Sequence, residues 1–86
     1  MYSVLYSIFD IDAGEFGPLF CAKNNKIAYR YVCELSRGIA ASNLGSFALY
    51  KMGDFDSEKG IIDTTVSIVD NLSNIVSRET IEVEEV

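Results

Sequence analysis

The stretch MGDFDSEKG, Met52 to Gly60, sets Asp54, Asp56 and Glu58 at alternate positions and closes on a glycine. Carboxylates at that spacing are what a loop needs to hold a hard cation through oxygen ligands. Aligned to an EF-hand loop from Asp54, the first, third and fifth positions fit. The sixth, which needs glycine for a sharp turn, is Lys59, and the twelfth, which needs a bidentate glutamate, is Thr65. The stretch reads better as a turn, because Phe9-Asp10-x-x-x-Gly14 and Phe55-Asp56-x-x-x-Gly60 share one pattern between β-like runs. In each, the aspartate can accept bonds from backbone amides and the glycine can take positive φ without steric cost. The expectation is two hairpin turns, at Asp10 to Gly14 and Asp56 to Gly60, and no metal.

Other reactive chemistry is sparse. The chain has no histidine, the commonest general base, and no Gly-rich phosphate loop. Paired carboxylates such as Asp10 and Asp12, or Asp54 and Asp56, could exchange protons, but carboxylates at hairpin tips are solvated, which argues against acid–base work there. Cys21 and Cys33 without a histidine are a poor zinc set and read as reduced, small apolar side chains. A noncatalytic protein without cofactor follows. One feature points to binding: on a helical wheel at about 100° per residue, Lys26, Arg30 and Arg37 share the side opposite the apolar stripe. Such a stripe is either a solvated helix face or a contact for phosphate or an acidic partner, and Tyr29 beside it could stack on a base.

The elements that would carry these residues can be read from periodicity. Tyr2 to Asp10 is aromatic and β-branched, a strand. Glu15 to Lys23 is a second apolar run interrupted by Pro18, whose missing N–H places it at an edge or starts it after the proline. Ile27, Ala28, Tyr31, Val32 and Leu35 then form one stripe of a helix over 25–37, capped by Asn24 or Asn25 and ended by Gly38 in the left-handed conformation. Ile39 to Ser46 is a loop of small residues, and FALYKM and GIIDTTVSIV are again β-like. Residues 67–77 fit both a short helix, which their spacing favours, and extended chain, which their β-branching favours.

The fold expected is α+β, an antiparallel sheet of about four strands in the order β-β-α-β-β with one helix on a face. Eighty-six residues make one small domain, assigned to 1–77, with an acidic extension at 78–86 as an edge strand or a solvated tail. Charge is uneven: residues 1–52 hold five basic and four acidic side chains (+1) and residues 53–86 two and nine (−7), which together give −6. Global attraction to nucleic acid or anionic lipid is thereby disfavoured, so any DNA contact is local or through a partner. The longest uncharged run, Gly38 to Tyr50, is too short and polar to span a membrane, and no basic leader precedes the first apolar residues, so the protein is expected in the cell that makes it.

YSIFDIDAGEFGPLFCAKNNKIAYRYV followed by FALYKMGDFDSEKG resembles the small nonstructural protein of gokushovirus-type microviruses, phages with circular single-stranded DNA genomes. The matching residues are Tyr6, Ser7 and Asp10; Phe16, Pro18, Leu19 and Phe20; Ile27, Ala28 and Arg30; and Leu49, Met52, Gly53, Phe55, Asp56 and Gly60. Gly17 stands where that family has a first proline and Met52 where it has isoleucine. The resemblance, over about residues 2–62, implies a nonstructural protein in the host cytoplasm, outside the mature virion, that assists DNA packaging or replication through viral replication or packaging proteins. Direct single-stranded DNA binding through Lys26, Arg30, Arg37 and Tyr29 is one rival, and a structural adaptor whose sheet edge pairs with itself or with a capsid-linked protein is another. Glu79, Glu82, Glu84 and Glu85 suggest that the C-terminal end covers a basic surface, this chain's own helix stripe included, in competition with DNA.

Overall fold

The computed structural model describes the backbone of residues 2–84 and the side chains of residues 2–79. Strand β1 (Tyr2–Asp10) is followed by two short pieces, β2 (Glu15–Phe16) and β3 (Phe20–Ala22), then helix α1 (Asn25–Ser36). A 3-10 turn over Ala41–Ser46 leads into β4 (Phe47–Asp56), β5 (Ile61–Asn71) and helix α2 (Leu72–Glu84). The fold is α+β. All pairings are antiparallel, and the sheet runs β2-β1-β4-β5 with β3 also beside β1.

The second strand is split at Pro18. Gly17 donates its N–H to the Ile8 carbonyl at 2.8 Å and accepts the Ser7 hydroxyl at 2.8 Å. Pro18 has no N–H to continue the ladder, so pairing resumes only at Phe20, and the sheet counts five strands rather than four.

Helix α1 begins where Asn24 holds extended backbone and its side chain accepts the Ile27 N–H at 3.0 Å. Asn25 does not cap the helix. Its Oδ1 accepts the hydroxyl of fully buried Tyr6 at 2.7 Å, tying β1 to the first turn. Gly38 is not the left-handed stop its position suggested. The positive-φ glycines are Gly14, Gly53 and Gly60, and α1 ends by tightening, with Arg37, Gly38 and Ile39 donating to the carbonyls of Glu34, Leu35 and Ser36.

Residues 67–77 satisfy both of their sequence signals in turn, as β5 to Asn71 and as α2 from Leu72. The junction is held by Asn71, whose Oδ1 accepts the Ser73 N–H at 2.8 Å and whose amide reaches the Gly45 carbonyl at 3.0 Å. Helical backbone continues to Glu84, so no edge strand forms over 78–84. The side chains from Thr80 onward, with Glu82 and Glu84, and all of Glu85 and Val86, lie outside the described residues.

Helix α2 changes which side of α1 is buried. The core gathers Tyr6, Ala22, Ala28, Val32, Leu44, Leu49, Leu72 and Ile75. Within α1 the buried line is Ala28, Val32 and Ser36, whereas Ile27, Tyr31 and Leu35 of the apolar stripe are 38–45% exposed. The stripe is wider than one contact, and α2 packs against α1 on the Tyr29 side, where Arg78 lies over that ring. The other sheet face carries Leu5, Ser7 and a ring cluster of Phe9, Phe16 and Tyr50, with centroids 4.6–5.7 Å apart.

Between Lys51 and Gly53 the strands fall out of step. β1 advances one residue, from Tyr6 to Leu5, β4 two, and β5 three, from Ser67 to Thr64. Gly53 absorbs the mismatch at φ 154°, and a Cβ there would collide with the Asp63 carbonyl oxygen and lie 3.1 Å from the Thr64 Cα. Gly53→Ala combines an unfavourable φ with a backbone clash, and a loss of about 3 kcal/mol is expected. Gly45→Ala faces open space and should stay within about 0.5 kcal/mol of wild type in urea unfolding.

Candidate functional site

Both hairpin turns are built alike. The Asp10 carboxylate accepts the Ala13 N–H at 3.1 Å while its carbonyl accepts the Gly14 N–H at 2.8 Å. Asp56, 9% exposed, accepts the N–H groups of Glu58 and Lys59 at 3.0 and 3.4 Å, and its carbonyl accepts that of Gly60 at 2.8 Å. Gly14 and Gly60 adopt φ of 69° and 68°. Asp56 is thus engaged in holding its own loop. Among the described residues no three carboxylate, cysteine or histidine groups converge as a metal set.

Of the basic residues on and just after α1, Lys26 meets α2. The Lys26 ammonium lies 3.2 Å from the carboxylate of Glu79, which is 13% exposed. Arg37 pairs with Glu34 at 3.2 Å in full solvent, where such a pair contributes little. Arg30 is exposed and forms no ion pair among the described residues. Tyr29 is half-buried rather than free, because the Arg78 guanidinium sits 5.1 Å from its ring centroid. The four sequence candidates share one helix flank, and α2 engages Tyr29 and a still half-exposed Lys26, while Arg30 and Arg37 face outward.

Sequence reasoning missed the group that places α2 there. The Asp70 carboxylate accepts the Asn71 N–H at 2.8 Å, the Asn74 amide at 3.0 Å and the Arg78 guanidinium at 3.4 Å. The signal was present as Asp70, Asn74 and Arg78 at four-residue spacing, one face of a helix with its acid at the N-terminus. The Asn74 amide chiefly, then the Asn71 N–H and Arg78, holds the Asp70 carboxyl below the ordinary carboxylate range.

Burial raises the Tyr6 hydroxyl, helped by Tyr29 and Asp54, and raises the Cys33 thiol, helped by Glu79 and Glu34. A thiol shifted that way is less nucleophilic at neutral pH. An open groove of about 390 Å³ lies between the first hairpin and the end of α1, lined by Ile8, Phe16, Leu35, Ile39 and Phe47 with Asp10 and Glu15 at its rim.

Residues 3–77 match the family model described as Phage ORF5 protein. No curated protein and no solved structure matches the chain. The matched stretch holds the sheet from Ser3 on and α1, and stops one residue before Arg78 and two before Glu79.

Asp70 should make stability depend on pH. Its folded pKa is depressed, so its contribution is present above the unfolded value and lost as pH falls through the folded one. Asp70→Asn should cost about 1 kcal/mol in urea unfolding at pH 7 and much less at pH 3. An equal cost at both would show that the carboxylate charge plays no part.

Proposed function

The chain belongs to the Phage ORF5 protein family, and on that footing we propose that it is a noncatalytic, nonstructural accessory protein of a gokushovirus-type microvirus. In this reading it acts in the host cytoplasm, assisting single-stranded DNA packaging or replication by contacting viral replication or packaging proteins. The observation that carries the reading is the family match over residues 3–77. The microvirus assignment rests on the resemblance across residues 2–62 set out above. The chemistry is consistent with it: there is no histidine, burial raises the Cys33 thiol, and the hairpin carboxylates of Asp10 and Asp56 hold their own turns.

Protein contact is favoured over direct DNA binding by the geometry at α1. Lys26 lies against Glu79, Tyr29 lies under Arg78, and Arg37 pairs with Glu34, which leaves a thin positive surface on a chain of net charge −6. Affinity for a phosphate backbone scales with the number of phosphates neutralised, and two exposed arginines with a half-exposed Lys26 already held by Glu79 give a small number.

The experiment has two arms. Affinity capture of the tagged protein from infected cells should enrich phage replication or packaging proteins, and their absence would sink the accessory reading. Anisotropy with a single-stranded oligonucleotide should show no binding at about 150 mM salt, where a protein with few phosphate contacts loses affinity. Binding that falls steeply with salt and disappears in Lys26→Glu/Arg30→Glu/Arg37→Glu would replace the protein-contact reading with direct DNA binding.

A further inference from the structure

Strand β5 is the outer strand on its side of the sheet, and among the described residues nothing pairs with its far edge. Every residue from Ile61 to Ile68 is exposed, on both faces, with Ile61, Ile62, Val66 and Ile68 each more than half exposed. An unpaired row of backbone N–H and C=O groups is a template for another strand, and folded proteins ordinarily blunt it with lysine, proline or a bulge. Here Ile61 to Val69 contains no proline or glycine and one charge, Asp63. From Ile61 to Ile68 the strand alternates where β4 does not, and its own bulge falls at Val69, where Asp70 and Ile68 register with the consecutive β4 residues Leu49 and Tyr50. Ile62, Thr64 and Ile68 register with Phe55, Gly53 and Tyr50 on one face, and Asp63 and Ser67 with Asp54 and Lys51 on the other.

We propose that β5 pairs antiparallel with β5 of a second copy across a two-fold axis at Thr65, joining two sheets into one continuous sheet. This inference stands apart from the accessory role and would hold or fail without it. A two-fold axis perpendicular to the sheet keeps each face continuous, so residue i must oppose a residue of the same face. Centred on Thr65, the sequence IIDTTVSIV is self-complementary. Ile61 opposes Val69, Ile62 opposes Ile68, Thr64 opposes Val66 and Thr65 opposes itself. These are the β-branched pairs that stabilise neighbouring strands.

Charge selects this register. Asp63 opposes Ser67 of the other copy, and Ser67 registers with Lys51 on its own β4. Each Lys51 therefore lies two strands, about 10 Å between Cα atoms, from the other copy's Asp63, on the same face and across a small serine. Lys51 lies 3.8 Å from Asp54 on its own strand, and its side chain can span the gap to exchange that contact for the other copy's Asp63, which gives two symmetric ion pairs across the seam. Moving the axis to Asp63 would set two aspartates against each other, and moving it to Val66 would set Asp63 against Val69. Contact along one strand is small for an interface, so the dimer forms as a concentration-dependent equilibrium rather than an obligate assembly.

Sedimentation of the full chain should show monomer giving way to dimer as concentration rises. Thr64→Lys/Val66→Lys places like charges opposite each other at exposed positions and should be monomeric while keeping its circular dichroism spectrum. Mixed with Thr64→Glu/Val66→Glu, it should form a heterodimer. In a Cys21→Ser/Cys33→Ser background, Thr65→Cys should oxidise to a covalent dimer, since facing Cα atoms lie about 5 Å apart. Ile61→Cys should not, because its copies would sit about 27 Å apart. A wild type that stays monomeric at every concentration overturns the proposal, which is also the result if this edge serves a strand of another protein. So does a dimer that survives the lysine variant, or an Ile61→Cys chain that cross-links as fast as Thr65→Cys.

Discussion

The structure depends on a close approach of two backbones at Gly53. Three adjacent strands cross the same span with one, two and three residue steps, and the sheet must fan and curl to accommodate them. Only a residue without Cβ fits, because the Asp63 carbonyl occupies the place where that carbon would be. On the short-count side of the curl, β1 carries Leu5, Tyr6 and Ser7, all buried. On the long-count side β5 swings out from the body with both faces exposed.

The helices answer a second constraint. Tyr6 is fully buried and carries a hydroxyl that needs a partner, and Asn25 at the first turn of α1 supplies it. That bond fixes the start of α1 over β1, and α2 closes the remaining flank through Leu72 and Ile75, which are fully buried. The polar border between the helices follows from this packing. Glu79 meets Lys26, and Arg78 lies over Tyr29 while also reaching Asp70. Side chains that read as a binding face on an isolated helix become partners once a second helix lies beside them.

For function, the consequence is a division of the surface. The basic side of α1 is partly neutralised by contacts within the chain, the hairpin tips are acidic, and exposed apolar side chains lie on β5, at Ile61, Ile62, Val66 and Ile68, and on α1, at Ile27, Tyr31 and Leu35. In the proposed reading, that division suits contact with other proteins more than tracking of a phosphate backbone.

Much of this was local and therefore legible in the residues. The turn chemistry of Asp10 to Gly14 and Asp56 to Gly60, the cap at Asn24, the period of α1 and the break at Pro18 are each set by neighbours within a few positions. What the sequence left open depends on contacts between distant segments. Residues 67–77 had two valid periods, and the Asn71 amide on Gly45 marks where one gives way to the other. Gly38 resembled a stop, yet a tightened last turn satisfied the end carbonyls instead. The buried line of α1 was settled by α2, and the need for glycine at 53 by a carbonyl ten residues later. Short-range hydrogen bonding is encoded residue by residue, whereas burial and close approach exist only between elements, so the tertiary structure alone decided them.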